Sequence, residues 1–155
     1  LDYFFYDKAN IFKMQNEQGD ITFSPDLIEE KEDGIYLKVD CRFPYPFTEK
    51  DVKQKFDEFG FEYKLEVKHG TQFVEKDSFL VEKLMGAYNE VMKENLTPIS
   101  QSGSTFARVF EKGVAFGPEF PSKPSTIHEP NECVAISDLE KMYEIYKKAI
   151  FELAK

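Results

Sequence analysis

The sequence has no tryptophan, two histidines (His69 and His128) and two cysteines (Cys41 and Cys133). The cysteines lie far apart and outside any CxxC pair, so no disulfide framework is expected. No apolar run approaches the roughly 18 residues of a membrane span. The first twenty residues lack a basic segment followed by an apolar one, so no signal peptide is expected. Basic charge is scarce as well. Lys and Arg number 20 against 29 Asp and Glu, for a net charge of −9. Such a chain repels phosphate backbones, and its densest basic run, YKKA at 146–149, lies on a helical face shared with Glu140, Glu144 and Glu152. The expectation is a soluble, cytoplasmic protein with no nucleic-acid or membrane partner.

What is present is apolar and aromatic. Hydrophobic residues make up 41% of the 155, with 16 Phe and 8 Tyr, enough for a core and too much for intrinsic disorder. Residues 1–18 have no clean period. GDITFSPDLI at 19–28 predicts a strand interrupted at Ser24-Pro25, because proline cannot donate to a ladder. EEKEDG at 29–34 predicts a turn. Ile35, Leu37, Val39, Cys41 and Phe43 alternate with polar residues, the period of a half-buried strand, and Cys41 falls on its apolar face. Thr48 with Asp51 predicts a helix start, Val52, Phe56 and Phe59 continue it, and Gly60 ends it. Phe61, Tyr63, Leu65 and Val67 predict a further strand, with His69 at its surface end.

After a connector, Leu80, Val81, Leu84, Met85, Tyr88, Val91 and Met92 predict a helix over 78–93. Residues 99–134 then hold four of the eight prolines and three of the eight glycines. They predict ordered loops around a short strand at 114–116, and such loops often carry function. Ser137 and Glu140 predict a capping box for a last helix, whose stripe is Leu139, Met142, Ile145, Tyr146, Ala149, Ile150 and Leu153. The fold class expected is α+β, an antiparallel sheet with a helix layer followed by a second lobe, with a boundary near 70–77.

Two loop stretches could carry chemistry. In SQSGSTFAR at 100–108, small residues around Gly103 allow close backbone approach to a ligand, and Arg108 offers a fork suited to a carboxylate. Taken alone, the stretch is better explained as a turn with a surface-paired arginine. It matches neither a P-loop nor GxSxG. In STIHEPNE at 125–132, His128 is a candidate metal ligand, followed by Pro130, Asn131 and Glu132. Zinc takes three or four protein ligands, mostly His, Cys, Asp or Glu, and His128 has no evident partners in the sequence.

The order of segments is more specific than either stretch alone. SGSTFAR (102–108), VAFGPEFP (114–121), HEPNE (128–132) and DLEKMYEIYKKAIFEL (138–153) resemble, in order and spacing, the C-terminal end of the dinuclear-zinc metallopeptidases. This family includes aminoacylase, carnosinase and the PepV-type dipeptidases, and the PepV branch is the most similar. GDITFSPDLI, DCRFP and VEKDSFLVEKLMGAY extend the likeness upstream.

The resemblance implies that residues 1–73 are part of a lid domain, half of a ferredoxin-like sheet. Residues 74–155 would be the C-terminal part of a zinc-peptidase catalytic domain. It implies that His128 is the last zinc ligand, that Arg108 holds the carboxylate of a dipeptide or short peptide, and that Gly103, Ser104 and Thr105 line the substrate loop. Ser102 and Ser104 depart from the family's glycines. The remaining ligands of the two zinc ions and the general-base Glu would lie upstream, since no HxD motif appears and Glu29-Glu30 falls in the predicted turn. In the intact parent, two zinc ions would activate a bridging water and polarise the scissile carbonyl.

The chain opens on Leu1 and the aromatic run Tyr3-Phe4-Phe5-Tyr6. With that opening it fits a C-terminal fragment, inactive by itself, with an incomplete zinc site and apolar surface inviting self-association. The alternatives are a non-catalytic α+β binding or association module and a pseudoenzyme. No catalytic residue is assigned to this chain.

Overall fold

The computed structural model describes residues 13–58, 62–66, 70–101, 103–117, 119–121 and 123–155. The fold is α+β: two small antiparallel two-stranded sheets and, among the described residues, three α-helices. The chain divides into two compact units, Leu1–Phe73 with Ile99–Ser104 and Val74–Pro98 with Thr105–Lys155. No helix among the described residues is long and apolar enough to cross a membrane.

The first unit is built on hairpins. Strand β1 (Gln15–Asn16) pairs with β2 (Gly19–Asp20), and the Asn16 carboxamide closes the turn by accepting from the Gln18 amide at 2.8 Å. Strand β3 (Thr22–Lys31) pairs with β4 (Gly34–Arg42), in register from Thr22 opposite Arg42 to Lys31 opposite Gly34. The register shifts between Pro25 and Leu27, where proline was expected to interrupt the ladder. The predicted turn at 29–34 is narrower than expected. Glu29, Glu30 and Lys31 belong to β3, and only Glu32 and Asp33 lie between the strands. Gly34 opens β4 at φ 154°, a backbone that side chains rarely adopt.

Met14, Ile21 and Val52 form the buried core of this unit, with Phe23, Cys41, Phe43, Phe47 and Phe56 packed against it. The alternation in β4 therefore points inward only at the base of the hairpin. At its tip, Ile28 and Ile35 are exposed. Cys41 is half-buried, and burial, followed by the charge of Asp40, pushes its thiol pKa up to about 12.

Helix α1 (Glu49–Asp57) starts where Thr48 and Asp51 predicted. The Thr48 amide and hydroxyl both donate to the Asp51 carboxylate, at 2.7 and 2.6 Å, which holds that carboxyl below its ordinary pKa. Val52 is its buried residue. Phe59, Gly60 and His69 lie outside the described residues. The strand predicted over 61–67 is not formed at 62–66. Tyr63 instead attaches to α1, its hydroxyl donating to Asp57 at 2.5 Å and its ring lying 5.3 Å from that of Phe56. An alternating pattern makes a strand only where a neighbouring strand accepts its ladder. Tyr63 finds its partners on a helix.

The second unit pairs α2 (Phe79–Met92) with α3 (Ile136–Leu153). Ser78 caps α2 by accepting from the Val81 amide at 3.3 Å, and Lys93, at φ 57°, ends it. Leu84, Ala87 and Ala149 form the core between the helices, with Leu80, Val114 and Phe116 against it. Lys148 bridges to Glu90 at 2.8 Å and to Glu152 at 3.7 Å.

The capping box predicted at Ser137 and Glu140 is not used. The helix begins at Ile136 from Ala135, without a side-chain cap. Only one side of its predicted stripe is covered: Ile145 and Ala149 are buried, whereas Leu139 and Ile150 are exposed. The apolar stripe is wider than the contact that α2 makes with it.

Candidate functional site

The loop 99–110 crosses from the first unit to the second, so each of its residues is placed within its own unit. Gly103 belongs to the first, exposed. A side chain there would meet nothing closer than the Gln101 side chain at 3.6 Å. Packing does not require glycine at this position. Ser104, in the same unit, is exposed too.

Thr105 opens the second-unit part of the loop. Its hydroxyl accepts from the Ala107 amide at 3.2 Å, starting a single 3-10 turn over Phe106–Val109. Arg108 sits on this turn, its amide bonded to the Thr105 carbonyl at 3.3 Å. Phe106, Val109 and Phe110 around it are 92%, 71% and 66% exposed, so the arginine stands on an apolar, solvent-facing turn. A side chain on Gly113 would run into the Ala107 carbonyl, so glycine there lets the chain fold back under the turn.

Residues 114–116 lie in no ladder, a correction to the strand predicted there. Val114 and Phe116 nevertheless point into the core, and the Tyr146 hydroxyl donates to the Phe116 carbonyl at 2.7 Å. Packing against α3 takes the place of a neighbouring strand. Gly117, at φ 106°, carries the chain past the Tyr146 hydroxyl, where any side chain would collide.

His128 lies on an exposed loop between two ties. At the neck, Lys123 Nζ reaches both carboxylate oxygens of Asp138 at 2.5 Å, and Asp138 is the one charged residue that is buried among those described. Within the loop, the Thr126 hydroxyl accepts from the Cys133 amide at 3.2 Å and donates to the Cys133 carbonyl at 3.1 Å. His128 itself is left-handed, at φ 63°. That conformation costs a side chain other than glycine about 1–2 kcal/mol. Outliers of this kind concentrate at functional sites.

Sequence reasoning named His128 as a candidate and missed both ties. Thr126 and Asp138 stood in plain view, but periodicity carries no information on which loop side chains meet.

Among the described residues, no group of three or more His, Cys, Asp or Glu side chains could hold a metal ion. A lone histidine such as His128 is not a zinc site. Arg108 and His128 occupy separate loops of the second unit.

Residues 3–152 match the family described as Peptidase family M20/M25/M40. The chain is 34% identical over 143 residues to "Putative dipeptidase YtjP" of Bacillus subtilis, a match covering 88% of this chain and 30% of that protein. It is 30% identical over 140 residues to "Putative dipeptidase SH1171" of Staphylococcus haemolyticus, covering 87% of this chain and 30% of the relative. A Staphylococcus aureus protein, "Putative dipeptidase SAUSA300_1697", gives the same identity and coverage. The chain thus spans about 30% of the length of these curated relatives. With the family matched over nearly its whole length, the chain belongs to the M20/M25/M40 peptidase family.

Proposed function

We propose that this chain is the C-terminal portion of a PepV-type zinc dipeptidase that hydrolyses short peptides when intact. Residues 1–73 are its share of the lid domain and 74–155 its share of the catalytic domain. His128 supplies one ligand to a site of two zinc ions. Arg108 binds the carboxylate of the substrate, and its apolar neighbours on the turn suit the side chains of a short peptide. Gly103, Ser104 and Thr105 line the same substrate loop. Peptidases of this family are generally metal-dependent. One candidate ligand does not hold a catalytic zinc ion, so the chain's own residues are left with binding roles and the chain alone is inactive.

The observation that carries this reading is His128: a left-handed histidine on a twice-tied loop, in a chain that matches 30% of the length of relatives named as dipeptidases. Zinc content and affinity of the 155-residue chain test it, with His128→Ala as control and dipeptide hydrolysis measured in parallel. Weak binding that the substitution removes, without hydrolysis, is the expected result. Tight stoichiometric zinc binding or measurable turnover would sink the fragment reading.

A second reading, a non-catalytic association module, is favoured by one observation. Ile35, Ile136 and Ile150 are 75%, 76% and 66% exposed, the kind of apolar surface that association covers. Sedimentation across a concentration series separates the two. A stable dimer with no zinc response at His128 would support the second.

A further inference from the structure

Resting on the reading of His128 as a zinc ligand, we propose that Thr126 is the positioning residue that sets this histidine's backbone.

Residues 126–132 form two successive turns. The Glu129 amide donates to the Thr126 carbonyl at 3.1 Å, and the Glu132 amide to the Glu129 carbonyl at 3.1 Å. The third residues of these turns are His128 and Asn131, at φ 63° and 64°. A turn with positive φ at its third position favours Gly or Asn there and Pro before it. The second turn follows that rule with Pro130 and Asn131. The first breaks it, with Ile127 and His128. Local preference therefore stabilises the second turn and opposes the first, and something outside the turn must hold His128 left-handed.

Thr126 is placed to do so. It is half-buried, and its hydroxyl bonds both the amide and the carbonyl of Cys133. One side chain thus clasps the loop across seven residues and fixes the end from which the first turn starts. The Lys123–Asp138 pair closes the chain outside this clasp, and next to it the Ser125 hydroxyl accepts from the Ile127 amide at 3.3 Å, so the segment carrying His128 is held at both ends. A ligating histidine needs partners that fix its ring; here the fixing acts through the main chain.

The test uses the isotope-labelled 155-residue chain with Thr126→Val, which keeps the shape and removes the hydroxyl, and Thr126→Ser, which keeps the hydroxyl. Three readouts apply: the intraresidue amide–Hα NOE of His128, strong when φ is near +60°; the exchange rate of the Cys133 amide; and the shift of the His128 ring resonances on adding zinc.

Thr126→Val is expected to weaken the His128 NOE and to speed Cys133 exchange about tenfold. Thr126→Ser is expected to retain both within about twofold. Faster exchange with an unchanged His128 NOE would overturn the proposal, because Thr126 would then close the loop without setting the histidine. Should the valine variant fail to fold by circular dichroism, Thr126→Ala is read the same way. If zinc leaves the wild-type His128 ring unmoved, with His128→Ala as the blank, the ligand reading fails and the positioning role falls with it. The NOE and exchange data still show separately whether the clasp exists.

Discussion

The two compact units gain their order in different ways. The first relies on a regular hairpin whose base covers Met14, Ile21 and Val52, while its tip stands exposed. The second relies on a helix pair around Leu84, Ala87 and Ala149, to which a long irregular stretch is tied by single side chains, Tyr146 to Phe116 and Lys123 to Asp138, while Thr126 to Cys133 closes the stretch on itself. Arg108 and His128, the two residues proposed to meet zinc and substrate, belong to that irregular stretch. Regular elements here carry packing, and tied loops carry the candidate chemistry.

The comparison can be broken most strongly at the cysteines. Cys41 belongs to the first unit and is half-buried, and Cys133 belongs to the second and is exposed. With its pKa pushed up to about 12, roughly one Cys41 in 10⁴ is thiolate at pH 8. Alkylation at that pH is expected to label Cys133 readily and Cys41 on the order of a thousandfold slower than in the unfolded chain. The folded pKa lies above the ordinary value of 9.0, so the linked stability is complete below about pH 9. It is lost as pH rises from there towards about 12. Urea midpoints that stay flat between pH 9 and 11, or equal labelling of both thiols in the folded chain, would contradict the burial of Cys41.

Core truncation comes next. Ile21 is 2% exposed, and Ile21→Ala is expected to cost about 2–5 kcal/mol, seen as lost exchange protection along β4. In the second unit, Asp138→Asn leaves Lys123 without its charge partner. The Lys123 side chain is 43% exposed, so water compensates part of the loss. The expected cost is about 1–2 kcal/mol, below the figure for a fully buried pair. A denaturant titration that ranked Asp138→Asn above Ile21→Ala would mean that the tie, and not apolar burial, dominates stability.

Much of this contrast was legible in the sequence, and the illegible part has a common cause. Thr48 with Asp51 and Pro25 at a register shift are local signals, complete within a few residues, and each appears where it was predicted. Tyr63 was misread because its alternating neighbours are necessary for a strand and not sufficient. Its hydroxyl goes to Asp57 on a helix. Ser137 and Glu140 satisfied a capping pattern, yet the helix starts before Ser137, and the functional carboxylate of that first turn is Asp138, bonded to a lysine fifteen residues upstream. A contact of that reach leaves no periodic trace. His128 was legible as a residue through resemblance, and its left-handed backbone was not, because glycine or asparagine normally announces such a position and here neither is present.

That mismatch yields the smallest expected effect and the sharpest one. His128→Gly removes a left-handed strain of about 1–2 kcal/mol but gives the unfolded chain more freedom, worth about 0.4–1 kcal/mol in the other direction. A net stabilisation of about 0.5 kcal/mol is expected from these terms. His128→Asn, which tolerates the same backbone without the extra freedom, should stabilise at least as much. Both variants lose the zinc response assigned to the imidazole. A residue whose replacement improves the fold and removes ligand binding is held for function and not for structure. If thermal unfolding shows either variant less stable than the wild type by about 1 kcal/mol or more, then His128 contributes to the loop's own packing, and its left-handed backbone is no longer a sign of a functional role.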